Sequence, residues 1–226
     1  MANILAVQTP AATLHLTLKN NAAFGGEVIG DLPVEQSAAL PGVRSVNLGP
    51  LQYGQSREVV VPVAIPAGAI PYLEATVTAT DPVSGEQIVH AKAAATARAP
   101  SAAGGPDGEE EGHELLALLR GRAVSVGAAC LVEAERGNGQ QACAMMASLV
   151  DAFPADDECS SELMALKGDV SGRMSKALKG QQRFNRWGKH YLRAVVRAHQ
   201  LQLCTNFMVR IPPARVCVDP SSSSGF

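Results

Sequence analysis

The hydrophobic period changes once along this chain, and that change limits its fold more than any other feature. In the first half, apolar residues alternate with polar ones. Leu14, Leu16 and Leu18 stand against Thr13, His15 and Thr17, and Leu73, Ala75, Val77 and Ala79 against Glu74, Thr76, Thr78 and Thr80. A two-residue period places the apolar side chains of a strand on one face. Residues 58–63 and 88–95 are further strand candidates, and Pro62, which has no N–H to donate, belongs at an edge or bulge. Turn signals at Asn20-Asn21, Gly25-Gly26, Gly30-Asp31, Pro41-Gly42, Gly49-Pro50 and Asp81-Pro82-Val83-Ser84-Gly85 separate the runs.

From His113 onward the repeat is helical, opening with Leu115, Leu116, Leu118 and Leu119. Helices are expected over residues 115–134, 140–153, 160–179 and 183–203, joined by short loops. The fold class is therefore α+β. It comprises an N-terminal antiparallel β-sandwich of about seven strands, then a C-terminal antiparallel helical bundle.

Between the two halves, residues 98–112 hold Pro100, Gly104, Gly105, Pro106, Gly108 and the acidic run Glu109-Glu110-Glu111, with almost nothing to bury. That composition reads as a linker. The expected division is a sandwich over 1–97, an acidic Gly/Pro linker over 98–112, a helical domain over 113–207 and a disordered tail over 208–226. Charge follows the same division. Residues 1–112 carry 5 basic and 11 acidic side chains, and residues 113–226 carry 14 and 10.

Several function classes are disfavoured by composition. The net charge of −2 gives the whole chain no strong pull toward nucleic acid or an anionic membrane. Five cysteines with no C-x-x-C pair make a poor disulfide framework and a poor zinc site. Residues 1–10 lack the charged and apolar regions of a secretory signal. No stretch approaches the roughly 20 apolar residues of a membrane span. The expectation is a cytoplasmic protein with reduced thiols, no cofactor and no metal.

Three motif matches fail on context. Gly137-Asn138-Gly139-Gln140-Gln141-Ala142 spells a dinucleotide fingerprint, but a helical run precedes it where a strand is required, so a helix–loop–helix turn is expected. Ala123-Val124-Ser125-Val126-Gly127 lies one residue from a nucleophile elbow, in a chain with no βαβ alternation. Asp219-Pro220-Ser221-Ser222-Ser223 imitates a magnesium-holding loop inside low-complexity serine. Cys130 and Cys143 lie in apolar helical runs, where a thiol behaves as a small hydrophobe. His15 and His90 sit in strand patterns as surface or packing residues.

The last helix is the most informative. No acidic residue occurs between Asp169 and Asp219. At about 100° per residue, Arg183, Arg186, His190, Arg193 and Arg197 share one face, and Phe184, Trp187, Tyr191, Ala194, Val195 and Ala198 share the opposite one. Segregated aromatics indicate a core keel, so Phe184, Trp187 and Tyr191 are expected as buried anchors. Truncating Trp187 would then cost about 3 to 5 kcal/mol, as for core aromatics. The basic face is a candidate interaction stripe. Stacking platforms for nucleic acid need aromatics exposed beside the charge.

Arg183-Phe184-Asn185-Arg186-Trp187-Gly188-Lys189-His190-Tyr191-Leu192-Arg193, with Arg197-Ala198-His199-Gln200-Leu201-Gln202 and Asn206-Phe207, resembles a helical segment of the von Willebrand A–Hint protein family. The run Leu48-Gly49-Pro50-Leu51-Gln52-Tyr53-Gly54-Gln55-Ser56-Arg57 is similar to the strand and turn that open the region after the A domain. The resemblance covers most of the chain, with the Trp187 block its distinctive part. It implies a region lying between the A domain and the Hint domain and containing neither, so no catalytic residue of the family can be placed here. After Phe207, where relatives continue with D-P-G and Y-G-G patterns, this chain reads Met208-Val209-Arg210-Ile211-Pro212-Pro213. Residues 208–226 are thus a divergent tail or a stretch outside the native frame.

The functional expectation is a non-catalytic interaction or scaffold module with protein partners, or a piece of a longer protein. RNA or anionic-surface binding through the basic helix, residues 183–197, is the alternative. An accessory role in ubiquitin transfer, implied by the U-box of some relatives, is a weaker one.

Overall fold

The computed structural model describes residues 7–36, 38–52, 57–95 and 108–202. The expected linker up to residue 107, the end of the expected helical domain from 203 and the tail over 208–226 lie outside the described residues. The fold is α+β, with strands first and helices after.

Seven strands form two antiparallel sheets. The larger has the order β3-β4-β1-β6-β7. These strands are β1 (Val7–Leu18), β3 (Val34–Gln36), β4 (Val43–Gln52), β6 (Leu73–Thr80) and β7 (Gln87–Ala95). The second layer is β2 (Ala23–Phe24) paired with β5 (Val63–Ala64), continued by a bridge between Ile29 and Val60. The sandwich is therefore lopsided. Gly25-Gly26 stops β2, and Pro62 and Pro66 bracket β5, so neither strand can lengthen. Pro62 itself accepts the Gly25 N–H through its carbonyl at 2.9 Å. Ala12, Leu16, Val46, Leu48 and Ala79 form the sheet's buried face, and Phe24, Val59 and Val61 close over it.

The β4 strand hides its period because a charge lies on its inner face. Arg44 is buried beside Val46 and Leu48, 4.1 Å over the Phe24 ring. Its guanidinium donates to the Gly26 carbonyl and to Gln36 Oε1. Paired in this way, a buried arginine is tolerated. On the opposite face of the sheet, His15 bonds Ser45 at 2.9 Å and Thr78 at 3.0 Å, a cross-strand polar ladder.

The helical half consists of four rods. The first is α1 (Gly108–Glu135) and the second α2 (Gly139–Asp151). The third runs through α3 (Ser161–Gly168), a π-helical turn (Asp169–Met174) and α4 (Ser175–Leu178). The fourth runs through α5 (Gln181–Arg183), a second π-turn (Phe184–Gly188) and α6 (Lys189–Gln200). Helix α1 begins at Gly108, inside the segment expected as linker. The α1–α2 turn is a Schellman motif. Gly137 has φ +91°, the Asn138 N–H reaches the Glu133 carbonyl at 2.9 Å and the Gly137 N–H reaches Ala134 at 3.2 Å. A helix thus precedes the G-x-G-x-x-A segment. Ser160 caps α3 by accepting the Leu163 N–H at 3.2 Å.

Contrary to the sequence expectation, the Gly112–Glu135 part of α1 is long and apolar enough to cross a bilayer by length and composition. Its Leu116, Leu119, Ala123, Val124, Cys130 and Ala134 are nevertheless buried in the helical core, with Met146, Leu163, Met174, Leu178, Phe184 and Leu192. These buried α1 residues make up one face of the helix, with 33% of its apolar window buried.

Two glycines permit backbone-close contacts. A Cβ on Gly121 would stand 2.9 Å from Ile29 Cγ2 of the sheet half. A Cβ on Gly188 would collide with the Ala177 carbonyl of α4. Adding a methyl at Gly188 gains about 1 kcal/mol of helix propensity. The clash is against backbone and costs about 1 to 3 kcal/mol or more. Gly188→Ala should therefore lower the thermal midpoint. Gly172→Ala, with nothing within 4 Å of the new methyl, should leave it unchanged or raise it. Paired melting curves check both expectations.

Candidate interaction surface

The fourth rod is seated by its aliphatic residues. Phe184, Gly188, Leu192, Val195, Val196 and His199 are its buried positions, recurring every three or four residues. This seam lies about a quarter turn from the face that the aromatic residues suggested. Phe184 is buried at 2% exposure, Tyr191 is half-buried, and Trp187 is 39% exposed. The expected Trp187 anchor is thus corrected. Gly188 must face Ala177 for the rod to approach α4, and that orientation swings the neighbouring indole to the rim. The Trp187 and Tyr191 rings meet edge-on, with centroids 5.7 Å apart and planes at 69°.

The expected stripe residues Arg183, Arg186, His190, Arg193 and Arg197 are all exposed, but their surroundings differ. Arg193 donates to Glu135 Oε1 at 2.6 Å, and Lys189 pairs with the same oxygen at 3.0 Å. The Lys189 hydrogen bond, ahead of the charges of Lys189 and Arg193, holds the Glu135 carboxyl below the usual carboxylate range. Arg197 donates to Gln200 Oε1 at 2.6 Å. Arg183 and Arg186 have no ion pair among the described residues. Glu135 thus engages Arg193 and the adjacent Lys189, whereas Arg183 and Arg186 lie open around Trp187. Glu135 ends α1, and its position against the fourth rod could not be read from one-dimensional spacing.

A second cluster fastens the helices to the sheet. Ser125 Oγ on α1 accepts the Gly30 N–H at 3.2 Å, and Arg120 pairs with Glu58 at 2.9 Å. Gln202 brackets the Glu58 backbone. Its Nε2 donates to the Glu58 carbonyl at 2.6 Å, and its Oε1 accepts the Glu58 N–H at 2.7 Å. Arg57 reaches the Gln200 carbonyl at 3.1 Å, and Gln200 Nε2 donates to the Asp31 carbonyl. Burial, and then the nearby Arg197 charge, lower the Arg57 pKa. The only sequence signal for this clasp was the small pair Gly121 and Ser125, four residues apart and so on one helix face.

Titrating groups also meet beside the first π-turn. Buried His199 faces Asp169, Nε2 to Oδ2 at 3.5 Å, too far for a hydrogen bond. Burial raises the Tyr191 pKa and Asp169 adds to the effect, while Arg173 opposes it by charge and a hydrogen bond. A nucleophile-activating pair needs an attacking group within reach. Among the described residues, no serine, threonine or cysteine hydrogen-bonds to either His199 or Asp169. Ser125 is engaged by Gly30, and burial pushes the Cys130 thiol up to about 12. Among the described residues, no three His, Cys, Asp or Glu side chains gather as a metal site.

Residues 158–212 match the family model described as VWA / Hh protein intein-like, which relates this part of the chain to von Willebrand A proteins. The match takes in the third and fourth rods, including Trp187. No curated protein matches the chain. Among solved structures, a von Willebrand factor type A protein from Catenulispora acidiphila is similar at 13% identity. The alignment covers 76% of this chain and 39% of that one, with a TM-score of 0.45. The chain thus spans well under half the length of that protein.

Phe184→Ala should cost about 3 to 5 kcal/mol. Trp187→Ala should cost only about 1 kcal/mol, chiefly its edge contact with Tyr191. Urea unfolding of the two variants checks this order, and equal losses would restore Trp187 to the core.

Proposed function

We propose that the chain is a non-catalytic interaction or scaffold module, working in the cytoplasm alongside domains of a longer protein. On this reading it corresponds to the region between the A domain and the Hint domain of von Willebrand A–Hint proteins. One observation carries the proposal. The described part of the matched segment 158–212, up to Gln202, turns its inner face to the core and clasps the sheet through Gln200 and Gln202. Its outer face presents Trp187 with Arg183 and Arg186 to solvent. A segment seated on one side and open on the other suits a protein that joins partners.

Binding of RNA through residues 183–197 is less well supported. Glu135 engages Lys189 and Arg193, which leaves Arg183, Arg186 and Arg197 of that stretch for phosphates. Each phosphate contact needs its own cation.

A photoreactive residue placed separately at Gln182, Ala194 and Val83 of the full chain provides the test. The first two positions are exposed on the fourth rod, and Val83 lies in an exposed turn of the sheet half. Discrete protein adducts at 182 or 194, competed by excess unlabelled chain and missing at 83, are expected. No adducts, or the same set from all three positions, would overturn the module reading.

A further inference from the structure

The exposed indole raises the question of what covers it. Arg183, Arg186, Trp187 and His190 are spaced i, i+3, i+4 and i+7, so one helical face sets an aromatic ring among basic groups. The ring meets Tyr191 edge-on. Tryptophan and arginine are the residues most enriched where protein partners anchor. The charge of this face selects an anionic partner, and its size selects a short one. With Lys189 and Arg193 engaged by Glu135, two arginines are left beside the ring. Tight polyanion binding draws on several phosphate contacts. The sheet half is mildly acidic, with 7 acidic against 4 basic side chains over residues 1–97, and it adds no attraction for a long polyanion. A short acidic peptide meets only the local patch.

The geometry points to Arg183, Arg186 and Trp187 as the docking point for an acidic segment of a protein partner. The arginines take its carboxylates, and the indole takes an apolar side chain between them. This inference rests on the interaction-module reading and names the partner class of that surface.

Trp187 is the single tryptophan of the chain, so its fluorescence reports on this patch alone. The full chain is titrated with a short synthetic Glu/Asp-rich peptide carrying central leucines. The same peptide with Gln and Asn in place of the acids, and a single-stranded oligouridylate of equal charge, form the other arms. A saturable blue shift with protection from iodide quenching is expected for the acidic peptide and not for its amide counterpart. The double variant Arg183→Glu, Arg186→Glu should lose affinity by about tenfold or more with an unchanged melting midpoint. No saturable response, an equal response to the amide peptide, tighter binding of the oligouridylate, or full affinity in the double variant would overturn the proposal. If the photoreactive positions on the fourth rod still capture a protein, only this inference fails. If they capture none, the module reading falls with it.

Discussion

Two contacts at backbone distance set the arrangement of this protein. Ile29 lies against Gly121 of α1, and the Ala177 carbonyl of α4 lies against Gly188 in the second π-turn. Neither position has room for a side chain, so each fixes a spacing that larger residues could not hold. Once α1 lies this close to the sheet half, Arg120 meets Glu58 and Ser125 meets the Gly30 N–H. Once the fourth rod lies this close to α4, its C-terminal end brings Gln200 and Gln202 onto Asp31 and Glu58. Individual hydrogen bonds contribute only about 1 kcal/mol each. The sheet and the helices keep separate cores, so the close approach of Ile29 to Gly121 and the polar contacts at Gly30, Asp31 and Glu58 join them together.

The same spacing distributes charge. The fourth rod carries a run of cations with no acid of its own, and α1 supplies the missing carboxylate at its last residue. Glu135 meets two cations at one oxygen, and among the described residues Arg183 and Arg186 have no ion pair beside the indole. A uniform basic stripe in sequence is therefore an asymmetric surface in space, with its open charge gathered at the end that holds Trp187.

The segment related to von Willebrand A proteins is also the segment that does both structural jobs. It supplies the glutamines of the clasp and the exposed ring. Its two π-turns fall at Asp169–Met174 and Phe184–Gly188, each inside a rod that α-helical turns continue on both sides. A π-turn shifts the helical register by part of a turn. Here the second one contains both Trp187 at the rim and Gly188 in the buried seam.

The sequence by itself determined β1, β6, β7 and the four rods, because each depends on local period and turn chemistry. Strand β4 and the short β2, β3 and β5 carry no such period. The pattern at Leu14, Leu16 and Leu18 marked β1, and Gly137-Asn138-Gly139 marked the α1–α2 turn. It also marked Arg183, Arg186, His190, Arg193 and Arg197 as exposed, since charges without buried partners stay in water. Tertiary structure alone decided the depth of each aromatic, the neutralisation by Glu135 and the clasp at Glu58. Those depend on which backbones touch. A helical wheel drawn at one fixed angle does not contain the glycine contact or the π-turn that turn Trp187 outward while Phe184 stays in the core.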